Sequence, residues 1–423
     1  MTIWKWLNQK RLQDYPRLVF IACCSVLLLN ILFHDGWIGG LTKHLIGGDF
    51  ITYYAAGKLY LNDIDHLYDI KVQDIAQRTL IAPTNPDSLS FYSYPPNAAV
   101  FHAAFTFLPL PLALILWWML SVVFVVLTAK LIKRYIIPDG HPLQSLSTFQ
   151  TTIVCLSSFA FIEGFETGQS HALTLILITA VLIATKREHW LLAGFFAALS
   201  TYKPQFVLGF LILWLVWRKY KAILSFVAFT LIGNGIVLLT KGIEPYLQFL
   251  KVSDHMIYIP YSDAGFPESI MATPFAFIAT MLPFSLASTW NQIFVLLGIT
   301  LVILFAVLVY ITSKRHLADQ NLILALSILL PLLAFPYALL HDLLILIPVL
   351  FLLAAQQEYL TDIKSLAVGV YAAMLFLPLL GYVANIALAA LIPIAVFIVC
   401  VPQIVRLLKT QNPKTKTPIP GGL

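Results

Sequence analysis

Apolar runs of about 17 to 25 residues, parted by short polar segments, recur along the whole chain, and each is long enough to cross a hydrocarbon core as a helix. Inside a bilayer the backbone must satisfy its own N–H and C=O groups, which leaves helices or closed barrels. The runs lack the strict alternation of barrel strands, so helices remain. Composition agrees: 423 residues, 60% hydrophobic and only 11% charged, with a mean hydropathy of +0.86. So few charges cannot solvate the surface of a soluble globule of this size. The expected fold class is all-α, a polytopic transmembrane helical bundle.

The expected spans are residues 17–34, 111–133, 147–163, 169–185, 188–202, 204–217, 222–240, 292–313, 319–336, 342–357, 364–380 and 382–405, about twelve in all. Two shorter pieces, 97–108 and 270–287, are interrupted by Pro109 or Pro283 and read as interfacial or re-entrant. Residues 1–410 then form one membrane domain, with a large polar loop over 35–96 and a second over 241–291. The tail, 411–423, is rich in proline and polar residues and is expected to be disordered.

Basic residues set the orientation, because short cytoplasmic loops are enriched in Lys and Arg. Lys5, Lys10, Arg11 and Arg17 place the N-terminus inside. Lys130, Lys133 and Arg134, then Lys186 and Arg187, Arg218, Lys219 and Lys221, Lys314 and Arg315, Lys364, and Arg406 with Lys409 fall on the same side. The net charge of +6 is largely this bias and gives no indication of nucleic-acid binding. The first helix has no small-residue cleavage site after it and reads as an uncleaved anchor. Cys23, Cys24, Cys155 and Cys400 lie within spans with no CxxC spacing, which argues against disulfides and a zinc site.

The opposite face then collects the polar chemistry. The first loop carries seven aspartates, among them Asp49; Glu163, Glu166, Gln169 and His171 follow the third span; Lys203 stands in a turn at 201–205; Asp254, His255, Asp263 and Glu268 lie in the second long loop; His341 and Asp342 close a turn at 337–342. Polar groups at the ends of spans are costly unless paired, and mark a functional cavity. Asp49 follows two glycines and opens an amphipathic helix over 50–61, where it can act as an N-cap or as a general base. Tyr94-Pro95-Pro96 is a stiff, extended approach to a helix. Glu166 to His171 opens a span with polar side chains, read either as a cap or as a binding turn. Lys203 runs against the charge bias, with Pro204 at the tolerated first position of the next helix. It either snorkels to the interface or awaits a phosphate. His341 is either a span boundary or a functional group that donates a hydrogen bond to a phosphate or is oriented by a carboxylate.

In their order these stretches resemble glycosyltransferase family 87, membrane enzymes of the GT-C class that include polyprenyl-phosphate-mannose-dependent mannosyltransferases. The resemblance is carried by Gly48-Asp49-Phe50 with Tyr53-Tyr54-Ala55-Ala56-Gly57, Leu67-Tyr68-Asp69, Tyr94-Pro95-Pro96, Pro109-Leu110-Pro111 leading to Trp117, Gly168-Gln169, and Ala193-Gly194 through Lys203-Pro204. It covers residues 45–220 well and the remainder only through hydropathy and the region of His341. It implies an extracytoplasmic site in a bacterial inner (plasma) membrane, on the face opposite the two termini that the basic residues place in the cytoplasm. It further implies a polyprenyl-phosphate-linked hexose donor, mannose being the expected sugar, a lipid or glycan acceptor, and inversion at the sugar carbon. Carried over, Asp49 is the catalytic base and Lys203 and His341 are the candidates for the donor phosphate; Tyr94, Glu166, Gln169, His171 and Tyr53, on the same face, are expected to bind substrate. Where the family shows Gln followed by Asn, this chain has Gln169-Ser170-His171. No cofactor is required and no metal ligands are assigned, although the acidic first loop could hold a divalent ion. The sequence sets no oligomeric state. The rival class, a transporter or lipid flippase, should carry polar groups near mid-span, where this chain offers chiefly Asn234.

Overall fold

The computed structural model describes residues 9–262, 268–281, 287–314, 320–355 and 361–410. Asp263, Pro283 and the tail expected to be disordered lie outside them, and the side chains of Asp254, His255 and Glu268 are likewise not described.

Regular structure in the described residues is helical, apart from isolated bridges such as Asp35–Ile38 and Met271–Leu339. The first part of the chain runs α1 (Gln9–Leu32), α2 (Gly48–Asn62), α3 (Ile70–Ile81), α4 (Pro96–Ala103), α5 (Leu110–Leu131), α6 (Thr148–Leu156), α7 (Phe159–Thr167), α8 (His171–Lys186), α9 (Trp190–Leu199) and α10 (Leu208–Val216). It continues α11 (Tyr220–Lys241), α12 (Glu244–Ser262), α13 (Pro274–Ala279), α14 (Ala287–Lys314), α15 (Asn321–Ala334), α16 (Leu346–Ala354), α17 (Thr361–Ala384) and α18 (Leu391–Thr410). All four cysteines are free thiols.

Among the described residues five helical segments are long and apolar enough to cross a membrane: Asp14–Leu32, Leu110–Ile136, Tyr220–Lys241, Gln292–Lys314 and Ala367–Ala384. They are mostly exposed along their length, as a lipid-facing helix must be. Six further apolar segments are shorter, among them His171–Lys186, Asn321–Ala334 and Leu340–Ala354. The described stretches of α15 and α16 are buried all round, from Leu322 to Ala334 and from Leu346 to Ala354. A helix surrounded by protein has no need of a full bilayer-length apolar surface, which is why equal hydropathy yields two lengths of helix. The apolar run at 147–163 is not one helix. It breaks at the fully buried Ser157 and Ser158, where the Ser158 hydroxyl accepts the Phe161 N–H and caps α7.

The polar first loop folds into a small helical layer of its own. Phe50, Tyr53, Tyr54, Tyr92, Phe105 and Trp117 form its core, against the first turns of α5. In α2 every residue from Phe50 to Gly57 is buried, so this helix is enclosed rather than amphipathic. The main core runs through α8, α10, α15 and α16. At one end of that core Lys186 donates to Asn321 and the Trp214 indole to Thr185. The other end of α8, about 24 Å away at 1.5 Å per residue, is the polar turn at His171.

Candidate active site

Asp49 is not a helix cap. Gly47, in the left-handed region at φ 67°, holds the N-cap position of α2, and Asp49 is the second helical residue. There the free N–H groups of the first turn favour a negative charge without taking the carboxylate as a partner. Gln169 and Thr167 stand close enough to act on it as hydrogen-bonding groups, and His341 and Glu163 are the charges that act on it most. Burial raises its pKa; His341 and the hydrogen bonds pull it down, Glu163 pushes it up, and the result stands above that of an ordinary aspartate.

The orientation of Gln169 follows from its partners. Its Oε1 accepts from the Tyr53 hydroxyl at 2.6 Å, the Ser170 N–H at 3.1 Å and the Tyr94 hydroxyl at 3.3 Å. Three donors on the oxygen leave the NH₂ group for Asp49. The turn that carries Gln169 forms because α7 ends at Gly168, whose φ of 73° suits glycine, and because the Trp117 indole donates to the Gly168 carbonyl at 2.8 Å. Tyr53 is fixed in turn by stacking on His102, ring centres 4.5 Å apart. Desolvation lowers the His102 pKa to about 3, so this ring is neutral.

Asp49 adjoins, through His341 and Glu163, a buried charge cluster. The Lys203 ammonium donates to Asp342 Oδ1 at 2.7 Å, and Asp342 Oδ2 accepts the Leu339 N–H at 3.0 Å. His341 places Nδ1 3.1 Å from Glu163 Oε2 and Nε2 3.7 Å from Asp342 Oδ1. Lys203, His341 and Asp342 are all buried. The His341 imidazole thus stands between two carboxylates, Glu163 on its Nδ1 side and Asp342 on its Nε2 side. Burial at Lys203 is outweighed by Asp342, so the ammonium stays charged. A charged ammonium has three N–H donors, and the hydrogen bond to Asp342 uses one. Tyr94 and Tyr202, half-buried with ring centres 6.3 Å apart, stand over this cluster.

Seven of the eight residues singled out from the sequence therefore converge: Asp49, Tyr53, Tyr94, Gln169, His171, Lys203 and His341. Glu166 does not join them. Its Oε1 accepts from Asn30 Nδ2 at 2.7 Å and Thr42 Oγ1 at 2.6 Å, and its carbonyl accepts the Gly47 N–H at 2.8 Å. Asn30 Oδ1 in turn accepts the N–H groups of Leu41 and Thr42. Glu166 thus ties the end of α1 and the loop before α2 to the end of α7, where the sequence reading had it bind substrate. Glu163, Asp342, Thr167 and Tyr202 take parts that the sequence reading did not give them. The signal available was Glu163 and Thr167 at helical spacing i, i+4 in an apolar segment. Among the described residues no group of three or more His, Cys, Asp or Glu is disposed to hold a metal ion.

No curated protein matches the chain. The family model for glycosyltransferase family 87 matches residues 92–336, more than half of its length. That stretch includes Tyr94, Glu163, Gln169 and Lys203; Asp49 precedes it and His341 and Asp342 follow it closely. An all-helical membrane-type fold, a buried site of paired carboxylates and cations, and this match together place the chain in glycosyltransferase family 87.

Proposed function

We propose that the protein is an inverting hexosyltransferase that takes its sugar, mannose being the expected one, from a polyprenyl-phosphate donor and passes it to a lipid or glycan hydroxyl. The observation that carries this reading is the grouping of Asp49 with His341, and through Asp342 with Lys203, in one site. The acceptor oxygen attacks the anomeric carbon and its proton passes to Asp49, whose raised pKa suits a general base. The bond from the anomeric carbon to the phosphate oxygen breaks on the opposite face. The polyprenyl phosphate leaves with a developing charge that Lys203 and His341 stabilise. Gln169 positions the base, and Tyr53 and Tyr94 hold Gln169. The scheme requires no metal.

In this reading the six short apolar helices join the five long ones in the bilayer, giving a number of spans near the dozen drawn from the sequence. The membrane is a bacterial plasma membrane, and the site opens on its outer side. The transporter reading is disfavoured because the ionisable groups sit at the ends of the short helices rather than along their middles.

The test uses the purified protein in liposomes with labelled polyprenyl-phosphate-mannose and, in parallel, polyprenyl-phosphate-glucose, together with a membrane-lipid extract as acceptor. Label should pass from one donor to the acceptor with inversion, and Asp49→Asn should abolish the passage. Equal transfer by Asp49→Asn would remove Asp49 as the base, and no transfer from either donor would remove the donor class.

A further inference from the structure

His171 is the first residue of α8, only 1% exposed, and its imidazole is seated against the backbone of α7. The seat exists because residue 164 is glycine: a Cβ there would lie 2.5 Å from His171 Nδ1. Phe161 closes one side, its ring centre 5.3 Å from the imidazole, and the His341 ring lies 6.4 Å away on another. The ring is thus fixed beside the charge cluster, within the fields of His341, Lys203 and Asp342.

Its two nitrogens are not equivalent. Nδ1 lies 3.1 Å from the Gln169 carbonyl, which can only accept, so Nδ1 carries the proton. A wholly buried ring loses the hydration that a charge needs, and His341 and Lys203 oppose a further positive charge beside them, so the ring is neutral and Nε2 presents a lone pair. That nitrogen is buried and makes no hydrogen bond with any protein group. A buried acceptor without a partner is rare, and beside a site of this kind it calls for a donor from outside the chain. The phosphate of the donor supplies none, since its oxygens are acceptors. Sugar hydroxyls supply several.

Resting on the donor class proposed above, we infer that His171 Nε2 accepts a hydrogen bond from one hydroxyl of the transferred hexose, which makes His171 a specificity-determining residue. The departure of this chain from the family's usual Gln-Asn pair at Gln169-Ser170 then bears on which sugar is read.

The experiment compares wild type, His171→Phe and His171→Asn with polyprenyl-phosphate-mannose and each of its singly deoxygenated forms, reading kcat/KM for every pair. Wild type should lose at least about tenfold on one deoxy donor, since a site that hydrogen-bonds a hydroxyl rejects the analogue lacking it. His171→Phe should handle that donor and the parent alike, and His171→Asn, which keeps an acceptor, should restore part of the discrimination and serves if the Phe variant does not fold. Wild type treating all deoxy donors alike, or His171→Phe retaining the wild-type profile, would overturn the inference while leaving the donor class intact. No transfer by wild type from any polyprenyl-phosphate hexose overturns both.

Discussion

Lys203 and Asp342, 139 positions apart in the chain, meet at 2.7 Å with both side chains buried. The pair welds the turn before α10 to the turn before α16. Removing one partner strands a charge in a dry site, which typically costs about 3–5 kcal/mol. Lys203→Met and Asp342→Leu should each be strongly destabilised, and the double variant much less than their sum. Thermal unfolding of the purified proteins in detergent checks this double-mutant cycle, and all three variants should fail to transfer sugar.

Asp49→Asn should separate stability from activity. Because burial raises the Asp49 pKa, the folded state holds this proton more tightly than the unfolded chain does. Asp49 therefore contributes stability at low pH that is lost as pH rises through its folded pKa. The Asn variant should melt at or above the wild-type temperature at neutral pH, lack the gain on acidification, and lose transfer by about 10²–10⁴-fold.

Gln169→Leu tests how the base is tuned. The Gln169 hydrogen bond favours the charged carboxylate, so its removal should raise the Asp49 pKa further. The acid limb of the pH–rate profile should move to higher pH. Tyr53→Phe, which takes one of three donors from the Gln169 oxygen, should cost about 1 kcal/mol in stability and move the limb less.

Glu166 and Asn30 distinguish a structural tie from a substrate ligand. Glu166→Gln keeps an acceptor for Asn30 and Thr42 and should retain transfer within about threefold, whereas Asn30→Ala strands several partners and should lower the melting point by an equivalent of about 1–3 kcal/mol. Initial rates and thermal scans on the two variants decide it.

The helical membrane class was legible because hydropathy reports burial in either lipid or protein. For the same reason it could not distinguish the lipid-facing Tyr220–Lys241 from the protein-enclosed Asn321–Ala334. Asp49, Lys203 and His341 stood out as ionisable residues in an apolar chain, and the fold brings them together. The partnership of His341 with Glu163 spans 178 positions and leaves no local trace. The cap reading of Asp49 failed because Gly47, left-handed and without a side chain, starts the helix two residues earlier. The contact of Glu166 with Asn30 and Thr42 was not legible, because a carboxylate near a site carries the same sequence signal whether it faces substrate or a neighbouring asparagine.

The tie at Asn30 changes how α1 should be regarded. Nearly all of that helix is exposed to its surroundings, as an exchangeable anchor would be, yet Asn30 near its end is 1% exposed and latched to Glu166. The segment is replaceable as a greasy surface and irreplaceable as a fastening. A shortened protein that begins with the family-matched stretch at residue 92 would keep Lys203 and His341 while losing both the latch and the aspartate it helps to place.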